Sequence, residues 1–368
     1  MMRSFRGNGR MVEPRHSADD ARSGTAGSSP RNLVFISDGT LSSLRAGTET
    51  NAGMLYRLLT ETGRNPYQQY DYDPGVQGSG LRKWFNAVTG MGINLTICQG
   101  YGFLASRYRP GDRIYLFGYS RGAYAVRSLA GMIGSVGLLR QEHATERNIK
   151  RAFRLYELNG EMVRSQARAD FIGQKCHDHV PVELVGVWDT VRTLGLPYPV
   201  LSRMAQMATE FHDHALGDHI RHGYHALAID EDRTAFAPIL WQRSPHWQGR
   251  LEQTWFAGVH GDVGGNIGDH TAARPAANIP LNWMLRRAEQ HGLILPEGWE
   301  GRFPEDPAAP QIGNRTGMAR MFIFRRRRAA GGGDGEVIHL SIRARMAALP
   351  GYRPIGKIDV GERWGDGQ

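Results

Sequence analysis

The pentapeptide Gly118-Tyr119-Ser120-Arg121-Gly122 limits what this chain can fold into more than any other stretch, because of what flanks it. Before it, Ile114-Tyr115-Leu116-Phe117 is a short apolar and aromatic run after the turn signal Pro110-Gly111-Asp112, as expected of a buried strand. After it, Ala123, Val126, Ala130 and Ile133 recur at helical spacing, and Gly134 and Gly137 offer stop signals. Strand, G-x-S-x-G and helix in that order predict a nucleophile elbow, a sharp turn that lifts the serine hydroxyl above a sheet. The glycines let helix and strand approach while the serine backbone holds a strained conformation that neighbouring side chains would crowd. A bare G-x-S-x-G in a loop carries no chemistry; the flanking pattern makes Ser120 a candidate nucleophile.

A serine hydroxyl is a weak nucleophile at neutral pH, so it needs a base within hydrogen-bond reach and a carboxylate to orient that base. Two more strand-like runs end in suitable residues: 182–188 delivers Asp189, and 254–259 delivers His260. The order Ser120, Asp189, His260 is the one α/β-hydrolases use. Asp38 is a rival as second carboxylate or organiser of an oxyanion loop, and Asp262 as the partner of another histidine. The plain alternatives are a helix cap for Asp189 and a turn histidine for His260. For the oxyanion, the residue after the nucleophile supplies one backbone N–H, which points to Arg121. Gly39 is the choice for the second donor, because its loop leaves the strand-like run Leu33-Val34-Phe35-Ile36 beside the elbow.

Strand and helix patterns alternate up to the elbow: 33–36, a helix capped by Thr50-Asn51, a strand over 67–72, then a helix leading to 114–117. That alternation predicts an α/β-hydrolase-like fold, a mostly parallel central sheet flanked by helices, with a helical cap or insertion. Residues 1–30, rich in Arg, Ser and Gly and nearly free of apolar side chains, are expected to be a disordered basic tail. The catalytic domain is expected over 31–300, with helical insertions near 143–175 and 200–225. Residues 301–368 are expected to form an extension that packs back on the core, with an Arg-rich loop near 325–333.

Composition narrows the partners. Two cysteines, Cys98 and Cys176, exclude a disulfide framework, and no apolar run reaches the ~18 residues of a spanning helix. A soluble protein made in the cytoplasm is expected, with export open to it without a cleaved signal peptide. The net charge of +9 is concentrated in Arg325 to Arg328, with Arg315 and Arg320 just before. It lacks zinc-finger spacing, RNA-binding aromatics or a basic zipper, so nucleic acid is not an expected partner. The block reads as a solvated loop or a contact with an anionic membrane surface. His212, His214, His219, His222 and His225 form a histidine-rich stretch, but no zincin glutamate accompanies them and no metal or other cofactor is expected.

These motifs resemble the DUF2235 α/β-hydrolases, which include the catalytic domain of Tle1-type phospholipase effectors of the type VI secretion system. The resemblance is carried by SDGT from Ser37, TNAGMLYRL from Thr50, YDPGVQGSG from Tyr72, YRPGDRIYLFGYSRGAYAVRSLAGMI from Tyr108 and VGVWDTV from Val185. HALAIDEDRTAFAPILW from His225, WFAGVHGDVGG from Trp255, IHLSIRARM from Ile338 and GYRPIGKI from Gly351 complete it. Where such proteins read FDGTWN, this chain has Ser37 for the aromatic and Leu41-Ser42 after Thr40. The resemblance implies a serine hydrolase acting on esters, phospholipids among them, with Ser120 as nucleophile, His260 as base and Asp189 as acid. It leaves an immunity or secretion partner unspecified. A non-catalytic protein that keeps the scaffold and binds a membrane or partner is the alternative.

Overall fold

The computed structural model describes residues 29–39, 42, 44–75, 91–158, 166–191, 216–314, 323–359, 361 and 363–366. The body of the expected N-terminal tail, Thr40, His212, His214, Arg315 and Arg320 lie outside them, as does most of the expected 200–225 insertion.

The strands are β1 (Asn32–Ser37), β2 (Gln68–Asp73), β3 (Arg113–Tyr119), β4 (Val182–Trp188), β5 (Ile220–Ala228), β6 (Arg250–Phe256), β7 (Ala329–Ala330), β8 (Glu336–His339), β9 (Lys357–Ile358) and β10 (Trp364–Gly365). Eight of them form one sheet in the order β10-β8-β6-β5-β4-β3-β1-β2, with parallel pairings throughout, and β7 and β9 pair separately. The helices are α1 (Asn51–Glu61), α2 (Met91–Ala105), α3 (Arg121–Val136), α4 (Glu146–Glu157), α5 (Gln166–Lys175), α6 (His260–Gly264), α7 (Arg274–Gln290) and α8 (Leu340–Ala348). This is an α/β fold built on a parallel central sheet with helices on both faces.

A parallel sheet covered on both sides needs strands that are apolar in both directions. In β1, Leu33 and Phe35 join the core formed with α2 and α3, through Tyr101, Leu104, Val126 and Leu129. Val34 and Ile36 join the opposite core formed with α1 and α7, through Leu55, Leu58, Leu281 and Leu285. β3 divides in the same way, Ile114 and Leu116 to one side and Tyr115 and Phe117 to the other. Each such side chain contributes roughly 1.5–3 kcal/mol when fully buried.

Two expectations change. The histidine-rich stretch is not helical to residue 225, because β5 begins at Ile220. Its Tyr224, Ala226 and Ala228 alternate with Leu227 between two different cores, which is the period of a strand. The C-terminal segment goes further than packing on the core: β8 pairs with β6, and β10 extends the sheet beyond it.

The chain leaves β1 toward β2 on one side and β3 on the other, so the strand order reverses at β1 and β3. In sheets of this kind the crevice outside the strand C-terminal ends at such a reversal is where ligands bind. Ser37 and Ser120 leave the sheet there, and α3 is seated close against it. A Cβ on Gly122 would stand 2.1 Å from the Ser37 carbonyl oxygen and 2.6 Å from that of Asp38, and one on Gly118 would stand 2.5 Å from the Gly122 oxygen.

This close seating predicts that Gly122→Ala lowers the melting temperature by several degrees, since overpacking against backbone costs typically ~1–3 kcal/mol or more. Gly301→Ala, where a Cβ meets nothing within 4 Å, is the control and should leave melting unchanged. Equal melting of both variants would contradict the seating.

Candidate active site

Ser120 sits between β3 and α3 with φ 58° and ψ −116°, heading the helix as its N-cap. Asp189 directly follows β4 and also has positive φ, 41°. Among the described residues these are the two non-glycine residues with positive φ, a conformation that costs on the order of 1–3 kcal/mol each and concentrates at functional sites. Both are pinned through the backbone: Ser120 N–H donates to the Trp188 carbonyl at 3.1 Å, and Asp189 N–H to that of Ala226 at 2.8 Å. Neighbouring strands thus hold the two turns in register.

His260 opens α6 just beyond β6. Its Nε2 lies 2.9 Å from Ser120 Oγ and its Nδ1 lies 2.6 Å from Asp189 Oδ2. An ionised carboxylate can only accept, so Nδ1 carries the proton and Nε2 is left as the acceptor for the serine hydroxyl. The ring is fixed from both sides. Tyr119 stacks on it with centroids 4.9 Å apart, and Phe236 meets it edge-on at 4.9 Å. Its backbone N–H donates to Glu231 Oε2 at 3.2 Å. The three residues predicted as strand-end partners therefore meet in one hydrogen-bonded chain.

Asp189 has no solvent exposure. Its Oδ1 accepts from Ala228 N–H at 3.0 Å and from Arg328 Nη1 at 2.6 Å, and its Oδ2 accepts from Arg328 Nη2 at 3.0 Å as well as from His260. Burial alone would push the Asp189 carboxyl up, but the Arg328 guanidinium and the His260 hydrogen bond hold it well below the usual carboxylate range. Arg328, buried at 6 % exposure, also donates to the carbonyls of Ala228 and Phe236. The reading of Arg325 to Arg328 as a solvated block fails for two of its members. Arg328 lies inside, and Arg325 pairs with Asp232 at 2.6 Å. Arg326 and Arg327 are exposed. The sequence held one usable signal, the acidic run Asp230-Glu231-Asp232, which is the electrostatic complement of the arginines.

The rival carboxylates have other work. Asp262 accepts from Val259 N–H at 3.0 Å and Ile312 N–H at 2.8 Å, tying the start of α6 to a later loop; burial pushes its carboxyl up to about 6. Asp38 accepts from Thr50 Oγ1 at 2.5 Å, Tyr72 OH at 2.7 Å and Gly39 N–H at 2.7 Å, and burial pushes it up to about 6 in spite of these bonds. The Gly39 amide, expected to serve an oxyanion, is therefore engaged by Asp38 in this structure. Gly39 is nonetheless adjacent to the nucleophile: a Cβ built on it would be 3.3 Å from Ser120 Cβ. The Arg121 amide is the first of α3, where backbone N–H groups and the helix dipole favour negative charge.

The described members of the histidine-rich stretch, His219, His222 and His225, make no hydrogen bond to Ser120, Asp189 or His260. His219 Nε2 is 2.8 Å from the Ala130 oxygen, and His225 Nε2 accepts from Thr190 N–H at 3.0 Å. His222 and His291 stack with centroids 3.6 Å apart and planes 18° from parallel, and His222 Nε2 is 3.7 Å from Glu183 Oε1. Glu183 is the second residue of β4, so this cluster lies at the opposite end of the sheet from Asp189. One ligand atom from each of Glu183, His222 and His291 lies within 4.8 Å of the others, while Arg221 holds Glu183 Oε2 at 2.8 Å and Tyr224 OH stands 2.7 Å from His291 Nε2. The cluster is a ring stack tied to an ion pair.

The model of a protein family described as the catalytic domain of Tle1-like phospholipase effectors of the type VI secretion system matches residues 31–287. An uncharacterized protein of Saccharomyces cerevisiae is 29 % identical over 242 residues, 60 % of this chain, so the chain spans about a third (34 %) of that relative's length. Among solved structures, an uncharacterized protein from Pseudomonas aeruginosa has a TM-score of 0.41 at 15 % identity, over 80 % of this chain and 50 % of that one. The Tle1 effector bound to the VgrG spike of the type 6 secretion system has a TM-score of 0.30 at 16 % identity, over 66 % of this chain and 53 % of that one. With 31–287 matched out of 368 residues, this chain belongs to the family of Tle1-like catalytic domains of type VI secretion phospholipase effectors.

Proposed function

We propose that the protein is a serine hydrolase of phospholipase A or lipase type, cleaving carboxylic esters through an acyl-enzyme on Ser120. The observation that carries this reading is the continuous chain Ser120 Oγ to His260 Nε2 at 2.9 Å and His260 Nδ1 to Asp189 Oδ2 at 2.6 Å. Membership of a phospholipase effector family supports phospholipids as the substrate class.

Ser120 Oγ attacks the ester carbonyl while His260 Nε2 takes its proton, and Asp189 stabilises the imidazolium that forms. Charge on the carbonyl oxygen develops toward the α3 N-terminus, where the Arg121 amide is positioned to receive it. Gly39 joins as second donor once its N–H is released from Asp38. His260 then protonates the departing alcohol, leaving acyl-Ser120, and in reverse roles activates the water that frees the fatty acid.

An anionic lipid surface is the partner that this reading implies. Ile323 and Phe324 expose 75 % and 62 % of their surface, next to exposed Arg326 and Arg327. The segment runs beside residues 233–236, with Arg325 bridged to Arg233 and Thr234 N–H donating to the Phe324 carbonyl at 3.0 Å. Phe236 in turn touches His260. Two exposed apolar side chains next to two exposed arginines suit an anionic membrane interface, where each arginine is worth roughly 1 kcal/mol.

Two outcomes are expected. Fatty-acid release from phospholipid vesicles, and nitrophenol release from a model ester, should fall about a thousandfold or more in Ser120→Ala, leaving only background catalysis. Undiminished turnover would remove Ser120 from the mechanism. Co-sedimentation with vesicles containing phosphatidylserine should drop, and become less salt-sensitive, in a variant carrying Ile323→Ser, Phe324→Ser, Arg326→Gln and Arg327→Gln; unchanged binding would place the membrane contact elsewhere.

A further inference from the structure

The family match ends at residue 287, yet the side chain that closes round the far side of Asp189 comes from residue 328. Arg328 precedes β7, in the segment that also pairs Arg325 with Asp232. Its guanidinium reaches both oxygens of Asp189, at 2.6 and 3.0 Å, in the fork geometry arginine alone among side chains offers a carboxylate. Its remaining contacts, with the carbonyls of Ala228 and Phe236, link the end of β5 to the loop that holds Phe236 against His260.

We infer that Arg328 is a positioning residue for ester cleavage: it fixes Asp189 in the orientation and charge in which that carboxylate accepts from His260 Nδ1. The inference rests on the serine-hydrolase reading above and extends it to the part of the chain beyond the family match. The physical need is specific. With no exposure and only the His260 imidazole and the Ala228 N–H as partners, the carboxylate would be left without a compensating cation, and protonation would remove the acceptor that sets the histidine tautomer. The forked guanidinium offsets the desolvation penalty on both oxygens, and Oδ2 accepts from Arg328 Nη2 and His260 Nδ1 together.

Other charged or titratable groups near Asp189 are His225, whose Nε2 accepts from Thr190 N–H beside it, Tyr119, and Glu231 with its partner Arg233. Burial, with the Asp189 charge next, raises the Tyr119 hydroxyl well above its ordinary value, so it stays neutral. Burial holds His225 down to about 3. Glu231, raised by burial but lowered more by Arg233 and Arg328, is ionised and paired. Arg328 is the cation that forks onto Asp189 itself. His260 accepts the serine proton only while the Asp189–His260 pair carries no extra proton. Removing the guanidinium takes a positive charge from beside that pair and favours its protonated form, so the acid limb of the pH profile moves to higher pH.

The test compares wild type, Arg328→Lys and Arg328→Met, using nitrophenyl-ester turnover across pH together with the downfield proton resonance of the His260 Nδ1–H. Arg328→Met is expected to lose about a hundredfold or more in kcat. It should also shift the acid limb of kcat/KM upward and shift or broaden the resonance. Arg328→Lys, which keeps the charge and loses the fork, should fold and fall between the two. An Arg328→Met protein with lower melting temperature but an unmoved acid limb and unchanged resonance would overturn the inference, since a purely structural arginine predicts that. If Arg328→Met does not fold, an Arg328→Lys profile identical to wild type in limb and resonance overturns it equally. Wild type without ester turnover would defeat the serine-hydrolase reading alone, because the resonance still reports whether Arg328 governs the Asp189–His260 bond.

Discussion

A carboxylate with no access to water organises this molecule's functional end. Asp189 gathers a backbone amide from β5, an imidazole from the start of α6 and both arms of a guanidinium from the C-terminal segment. Four donors on two oxygens from three distant parts of the chain are needed because an unpaired buried charge costs several kcal/mol. Once Asp189 is satisfied, the His260 tautomer is set, and with it the acceptor presented to Ser120. The strained backbone at both Ser120 and Asp189 is tolerated because parallel strands and a helix seated on Gly122 hold the turns from below.

Much of this was legible in the sequence, for a physical reason. Parallel sheets place function at strand C-terminal ends, so Ser120, Asp189 and His260 could be found at the residues where apolar runs stop. Neighbours in the sheet then bring those ends together whatever their separation along the chain. The two-faced apolar pattern of β1 and β3 likewise announced a sheet covered on both sides. The features that stayed hidden depend on long-range pairing. Arg328 was indistinguishable from Arg326 within a basic run, because nothing local says which side chain turns inward. The first part of β5, before the strand-like run at 226–229, was obscured by its histidines, of which His222 is accommodated by a ring stack with His291. The engagement of the Gly39 amide by Asp38 is local, yet it depends on burial that also draws in Thr50 and Tyr72.

The C-terminal segment changes how the fold divides. Residues beyond the family match contribute β8 to the main sheet, where Trp255 Nε1 donates to Glu336 Oε2 at 2.7 Å, and they deliver Arg325 and Arg328 to acidic residues at the strand ends. We propose that residues 301–368 act as part of the catalytic unit, since the site's buried charge balance is incomplete without them.

The central claim is that Ser120 is the one hydroxyl activated by this arrangement. Reaction of the folded protein with a fluorophosphonate, with proteolysis and peptide mass mapping afterwards, tests it most directly. A single adduct is expected, located on Ser120 and absent after prior denaturation. An adduct on another residue, or no adduct on protein shown to be folded, would contradict it.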